Sequence, residues 1–171
     1  MVNYLSQKLK DSFAIILLLS SSFIFSQNII TDRPDQTESP NTLNKGYLQI
    51  ESGYLSLKYR ETNNKMTQTL IPTNLFRYGL TNNIELRLLA QFENQKSYKP
   101  KISGISDIEL GVKLKILKKE NINNEISFLS TLIIPSASNG LSINSFGISN
   151  RMIFSHKLSE KTGLGYNLGY D

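Results

Sequence analysis

From about residue 46 to the end of the chain, apolar and polar side chains alternate one by one in segments of roughly ten residues. In IELRLLAQFEN, Ile84, Leu86, Leu88, Ala90 and Phe92 fall on one face, with Glu85, Arg87, Gln91 and Glu93 on the other. DIELGVKLKI repeats the design: Ile108, Leu110, Val112, Leu114 and Ile116 oppose Asp107, Glu109, Gly111, Lys113 and Lys115. GLGYNLGYD sets Leu164, Tyr166, Leu168 and Tyr170 against glycines, Asn167 and Asp171. A period of two belongs to extended strands whose faces meet different surroundings. EISFLSTLII is less regular, because Leu129 and Ile133 share a face with Glu125, Ser127 and Thr131.

Three further strands are imperfect. GYLQIESGYLSLKYR begins with Leu48 and Ile50 in one phase and ends with Leu55, Leu57 and Tyr59 in the other. This predicts a bulge near Gly53, where an extra residue is tolerated. LIPTNLFRYG contains Pro72, which suits an edge or a bulge. SFGISNRMIFSHK aligns Phe146, Ile148, Met152 and Phe154 but includes Asn150 among them. Seven strands result, with no convincing helical period. Turns near 79–83, 118–124 and 159–162 are compact, whereas 60–66, 94–106 and 135–144 are mostly longer and polar. Short turns on one side and longer loops on the other predict an all-β fold, an antiparallel up-and-down transmembrane β-barrel. A soluble sandwich or lipocalin-like barrel has the same periodicity with the faces exchanged. The glycines among the polar positions (Gly111, Gly163, Gly165, Gly169) and aromatics near strand ends favour the membrane.

Ahead of the strands, Lys8 and Lys10 precede an apolar run from Phe13 to Leu19, followed by small and apolar residues to Ser26. The run is too short to span a bilayer and reads as a secretory signal peptide over 1–26, with an uncleaved anchor as the alternative. A polar N-terminal segment, 27–45, and a partial barrel, 46–171, complete the predicted organisation. The chain has no cysteine, so disulfides, thiolate metal sites and a lipidated cysteine are ruled out. A net charge of +5 on scattered lysines gives no basic patch, so a nucleic-acid partner is not expected.

The polar segment reads TDRPDQTESP, with Thr31, Asp32, Arg33, Pro34, Asp35, Thr37, Glu38, Ser39 and Pro40. Gly46, Gln49, Glu51 and Gly53 follow it. Farther on stand Arg77-Tyr78-Gly79-Leu80-Thr81 with Ile84-Glu85-Leu86-Arg87, and then GISDIELGVK from Gly104 to Lys113. This combination resembles a family of bacterial outer-membrane β-barrels, described as transporters or as the "MetA-pathway of phenol degradation" family. The resemblance covers residue 31 to about 115 by motif and the rest by pattern. It implies an outer-membrane location, lipid around the barrel, and passive diffusion of small solutes, apolar or aromatic ones among them. Single-chain barrels have an even strand number. The chain stops inside its seventh strand, so a closed barrel is expected to need more chain.

Within that reading the carboxylates Asp32, Asp35 and Glu38 admit a calcium site, but they lack EF-hand spacing and Pro34 and Pro40 hold the segment extended. No metal and no cofactor are expected. The segment is expected to be a rigid polar stretch at the periplasmic mouth, its side chains pairing with lumen charges and Arg33 with a lumen glutamate. Glu85, Arg87, Glu93, Asp107, Glu109, Lys113, Lys115 and Arg151 are the expected lumen lining. They act either as a solute filter or as a self-satisfying cross-strand network. His156 has Ser155 and Ser159 near it in sequence, but neighbours on a strand point to opposite faces and no orienting group is evident. Enzyme activity is not expected. A closed structural or binding barrel, or a soluble periplasmic β-rich ligand-binding protein, is the alternative. The sequence leaves oligomeric state open.

Overall fold

The computed structural model describes residues 31–32, 37–61, 64–96, 101–118 and 124–171. The predicted signal peptide, Arg33, Pro34 and Asp35 lie outside the described residues. The strands are β1 (Leu48–Glu61), β2 (Asn64–Gly79), β3 (Ile84–Lys96), β4 (Ile102–Ile105), β5 (Ile108–Lys118), β6 (Asn124–Ile134), β7 (Gly147–Lys157) and β8 (Gly163–Tyr170). They form one antiparallel sheet in the order β1-β2-β3-β5-β6-β7-β8, with the short β4 pairing back onto β3. The seven expected strands are all present, and the sheet curls into an incomplete barrel. Among the described residues there is no helix. The connection expected to be long after β1 is short, since Glu61 already pairs with Asn64, and the 94–106 connection contains β4.

The registers sort every strand into two faces. One cross-strand row runs Ile50, Phe76, Leu88, Leu110, Leu132, Ile148 along the convex side. Another runs Gly79, Glu85, Lys113, Leu129, Arg151, Gly169 along the concave side. Burial follows the reverse of a soluble core. The buried polar or charged residues include Arg77, Glu85, Lys113 and Ser127, none more than 1% exposed, whereas Leu110, Ile148 and Leu168 on the convex face are 44%, 59% and 62% exposed. Leu70, Leu75, Leu129 and Ile153 are the buried apolar residues among those described.

The bulge lies on a different strand from the one expected. Between Gly53 and Leu55 β1 advances two residues, while its partner β2 advances three, from Thr73 to Leu70; β3 meets the same surplus between Gln91 and Glu93. The extra residue therefore belongs to β2 at Ile71–Pro72, where a proline without an N–H removes no ladder bond. β1 alternates without interruption, so Leu55, Leu57 and Tyr59 turn to the concave side instead of switching back outward.

Candidate functional site

Arg77 of β2 and Arg87 of β3 are direct cross-strand partners. Like charges in that position repel. The next row adds Lys113 of β5 opposite Glu85. The concave wall thus gathers three cations near the short-turn end, and Gly111 beside Arg87 gives that side chain room, since a Cβ there would stand 3.3 Å from the Cβ of Arg87. Their common counterion comes from the N-terminal segment. Asp32 Oδ2 lies 2.5 Å from Lys113 Nζ, 2.8 Å from Arg87 Nη1 and 3.4 Å from Arg77 Nη2. Glu38 adds a second carboxylate, 2.8 Å from Arg87 Nη1 and 3.8 Å from Lys113 Nζ. Arg77 is held independently by the wall, donating to Glu51 at 2.9 Å and to both oxygens of Glu85 at 2.9 Å.

The segment 37–44 lies across the concave face as a strap. At one end Glu38 N–H donates to the Asn167 side-chain oxygen of β8 at 2.8 Å. Ser39 O accepts from Lys113 at 2.9 Å, and Pro40 O accepts from the Ser127 hydroxyl. Leu43 N–H donates to Glu85 at 2.9 Å, and Thr42 donates to Asn82 O at 3.0 Å. At the far end the chain packs against Gly79, where a Cβ would stand 2.1 Å from Asn44 O. Asp32 also fixes the strap's own shape: its Oδ1 accepts from Ser39 N–H at 3.0 Å, and its N–H faces the Glu51 carboxylate at 3.2 Å. Burial pushes the Asp32 carboxyl up, but Lys113, Arg87 and Arg77 together hold it below the ordinary carboxylate value.

The remaining lumen candidates separate. Glu93 is buried at the other end of β3, accepting from Gln68 at 2.6 Å, Gln95 at 2.7 Å and Ser106 at 2.9 Å. Glu109 and Arg151 line a cavity of about 390 Å³ with Arg87, Glu38, Leu75 and Ile133. Lys115 reaches Asn82 O at 3.4 Å on the rim. Asp107, expected in the lumen, is taken up by the β6–β7 loop. One oxygen accepts from Ser136 and Ala137 N–H at 2.9 and 2.8 Å, the other from Ile143 N–H at 2.9 Å and the Ser142 hydroxyl at 3.2 Å. Its slight burial acts upward, and these donors outweigh it and lower its pKa. Thr31 and Thr37 are exposed, and Pro40, within the strap, is buried. His156 is bonded to Asn124 at 2.8 Å and Tyr166 at 3.2 Å.

Arg77 and Glu51 belong to the network but were not singled out as lumen residues. The signal was faint: Arg77 is one charge within the apolar run LFRYG, and Glu51 precedes the strand half whose phase looked inverted. Among the described residues no group of three or more His, Cys, Asp or Glu could hold a metal ion. A family model described as "Putative MetA-pathway of phenol degradation" matches residues 31–171. Neither the curated proteins nor the solved structures gave a match.

Proposed function

The chain belongs to the MetA-pathway of phenol degradation family, and on that premise we propose that it builds the wall of an outer-membrane β-barrel channel. Small solutes, apolar or aromatic ones among them, would cross it by passive diffusion along a lumen of mixed charge. One observation carries the reading: charges are buried on the concave side while the convex side carries a continuous apolar row whose Ile50, Leu110, Leu132 and Ile148 stand exposed. In water each exposed side chain of that row forgoes roughly 1.5–3 kcal/mol of burial. Against lipid the same row is in its proper solvent, and a charge there would be unfavourable by about 2–4 kcal/mol at mid-depth. The convex positions of β3 from Ile84 to Phe92 and of β5 from Ile108 to Ile116 carry none. Lipid and a small solute are the proposed partners, and the outer membrane the proposed location. No catalytic role is proposed, since His156 takes Asn124 and Tyr166 as its partners.

The strap across the concave face favours a second reading, a barrel closed to solutes that serves as scaffold or binds through its loops. Gel mobility of the outer-membrane fraction, boiled against unboiled, tests the barrel. A heat-dependent shift is expected, and release with the periplasm without a shift would overturn it. Planar-bilayer conductance then divides the two readings, since a heat-shifting barrel that passes no current is the closed one.

A further inference from the structure

We infer that Arg87 and Lys113 form a carboxylate-binding site which Asp32 and Glu38 of the strap fill together, and that a small dicarboxylate competes for it and lifts the strap. The inference rests on the proposed lumen, in which a dissolved solute reaches the concave wall. Among the described residues, the hydrogen bonds and ion pairs of these two cations all come from Asp32 and the strap: Asp32 and Glu38 on Arg87, and Asp32, Glu38 and the Ser39 carbonyl on Lys113. Arg77 differs, because Glu51 and Glu85 of the wall hold it whether or not the strap is present. Lifting the strap therefore leaves Arg87 and Lys113 without a hydrogen-bonded anion, because the Glu85 carboxylate opposite Lys113 has both oxygens taken by Arg77.

The geometry of the present occupant describes the next one. Two carboxylates converge on one guanidinium nitrogen at 2.8 Å each, and one of them also meets the ammonium at 2.5 Å. A guanidinium beside an ammonium is suited to carboxylate oxygens. The cavity of about 390 Å³ opens onto Arg87 and Glu38, which gives a small molecule an approach to the site. The competing groups sit in the stretches 31–32 and 37–44, neither of which has regular secondary structure. Tethering gives them an effective concentration on the order of millimolar, so a free solute must match that.

The chain is free of cysteine, so a single thiol can report the strap. Thr42, on the strap itself, is buried against the wall, and Thr42→Cys places a thiol that is shielded while the strap is down. Its reaction rate with a polar maleimide is measured on the folded full chain in detergent. Succinate is compared with sodium chloride and sodium sulfate at equal ionic strength, and with neutral succinamide. Several-fold faster labelling in succinate alone is the expected result, and adding Glu38→Gln should lower the succinate concentration needed. Equal rates in all four solutions would overturn the site. Equal acceleration by sulfate would overturn its assignment to carboxylates. The assay reads strap position and not current. A barrel that conducts with an unresponsive thiol defeats this inference alone; a responsive thiol in a barrel that passes no current defeats only the transport reading.

Discussion

At the short-turn end of the sheet, the carboxylate of Asp32 draws a non-strand segment onto the wall through three cations. At the opposite end, the carboxylate of Asp107 draws the β6–β7 loop inward through three backbone N–H groups and a hydroxyl. Both are lowered in pKa, yet for different reasons. Asp32 is buried and its ionisation is enforced by full charges, of which Arg87 and Lys113 depend on it in turn. Asp107 is partly open to solvent and is stabilised by neutral donors that water could replace. The comparison teaches that a buried carboxylate is one member of a set that stands or falls together, whereas a peripheral one can be removed piecemeal.

The largest expected effect follows from that dependence. Asp32→Asn leaves Lys113 without exposed surface and without its nearest counterion, a change that typically destabilises by about 3–5 kcal/mol. Urea titration of the folded barrel in detergent should show it, along with a lower temperature for the gel-mobility shift. Pairing it with Lys113→Met should restore part of the loss, because two removed charges are less harmful than one stranded charge. A double variant as weak as the sum of the singles would show that Asp32 and Lys113 act separately.

Next in size is Gly79→Ala, which tests the strap's far anchor without altering charge. The added methyl meets the Asn44 carbonyl at 2.1 Å, a backbone atom that cannot swing aside. Overpacking of this kind costs about 1–3 kcal/mol. The loss should appear as faster proteolysis of the strap, and a barrel as stable and as resistant as the parent would mean that the strap end shifts freely.

Acid separates the two anchors more gently. Each carboxyl has a folded pKa below its ordinary 3.8, so each contributes stability that is complete above that value and is lost as pH falls through the lower folded one. Both anchors should thus persist at neutral and mildly acidic pH and release only below about 3.8. Asp107→Asn should reproduce the release of one anchor at neutral pH. The new amide keeps an acceptor for Ser136 and Ala137, but can present a donor to Ile143 N–H. Limited proteolysis should then cut the 136–146 loop faster while the mobility-shift temperature stays unchanged. A fall in that temperature would make Asp107 part of the global fold.

The strands were legible because a period of two survives whichever solvent the faces meet. The periodicity could not say which face was buried, nor where the surplus residue lay. An apolar patch on the concave side (Leu55, Leu57, Leu70) imitates a change of phase in β1, although the bulge is at Ile71–Pro72 of β2. Lys113 could be placed on the polar face, and Asp32 stood out in its motif. Their meeting spans 81 residues and needs the whole sheet. Asp107 was grouped with the lumen by parity, but a loop from 29 to 36 residues away takes both its oxygens, which no local pattern announces.

The smallest effect is expected at Lys157 and Glu160, and it tests whether burial or mere pairing makes an anchor. Their ammonium and carboxylate are 2.8 Å apart, as close as Arg87 and Asp32. Both side chains are largely in solvent, at 50% and 89% exposure, with Lys157 at the end of β7 and Glu160 in the compact turn that follows. Water and salt screen such a pair, and holding two long side chains together opposes the Coulomb gain. Lys157→Ala should therefore change neither the urea midpoint nor the mobility-shift temperature measurably. A loss comparable to that of Asp32→Asn would mean that distance alone sets the strength of these ion pairs. The strap would then be one surface contact among many, with no special hold on the concave wall.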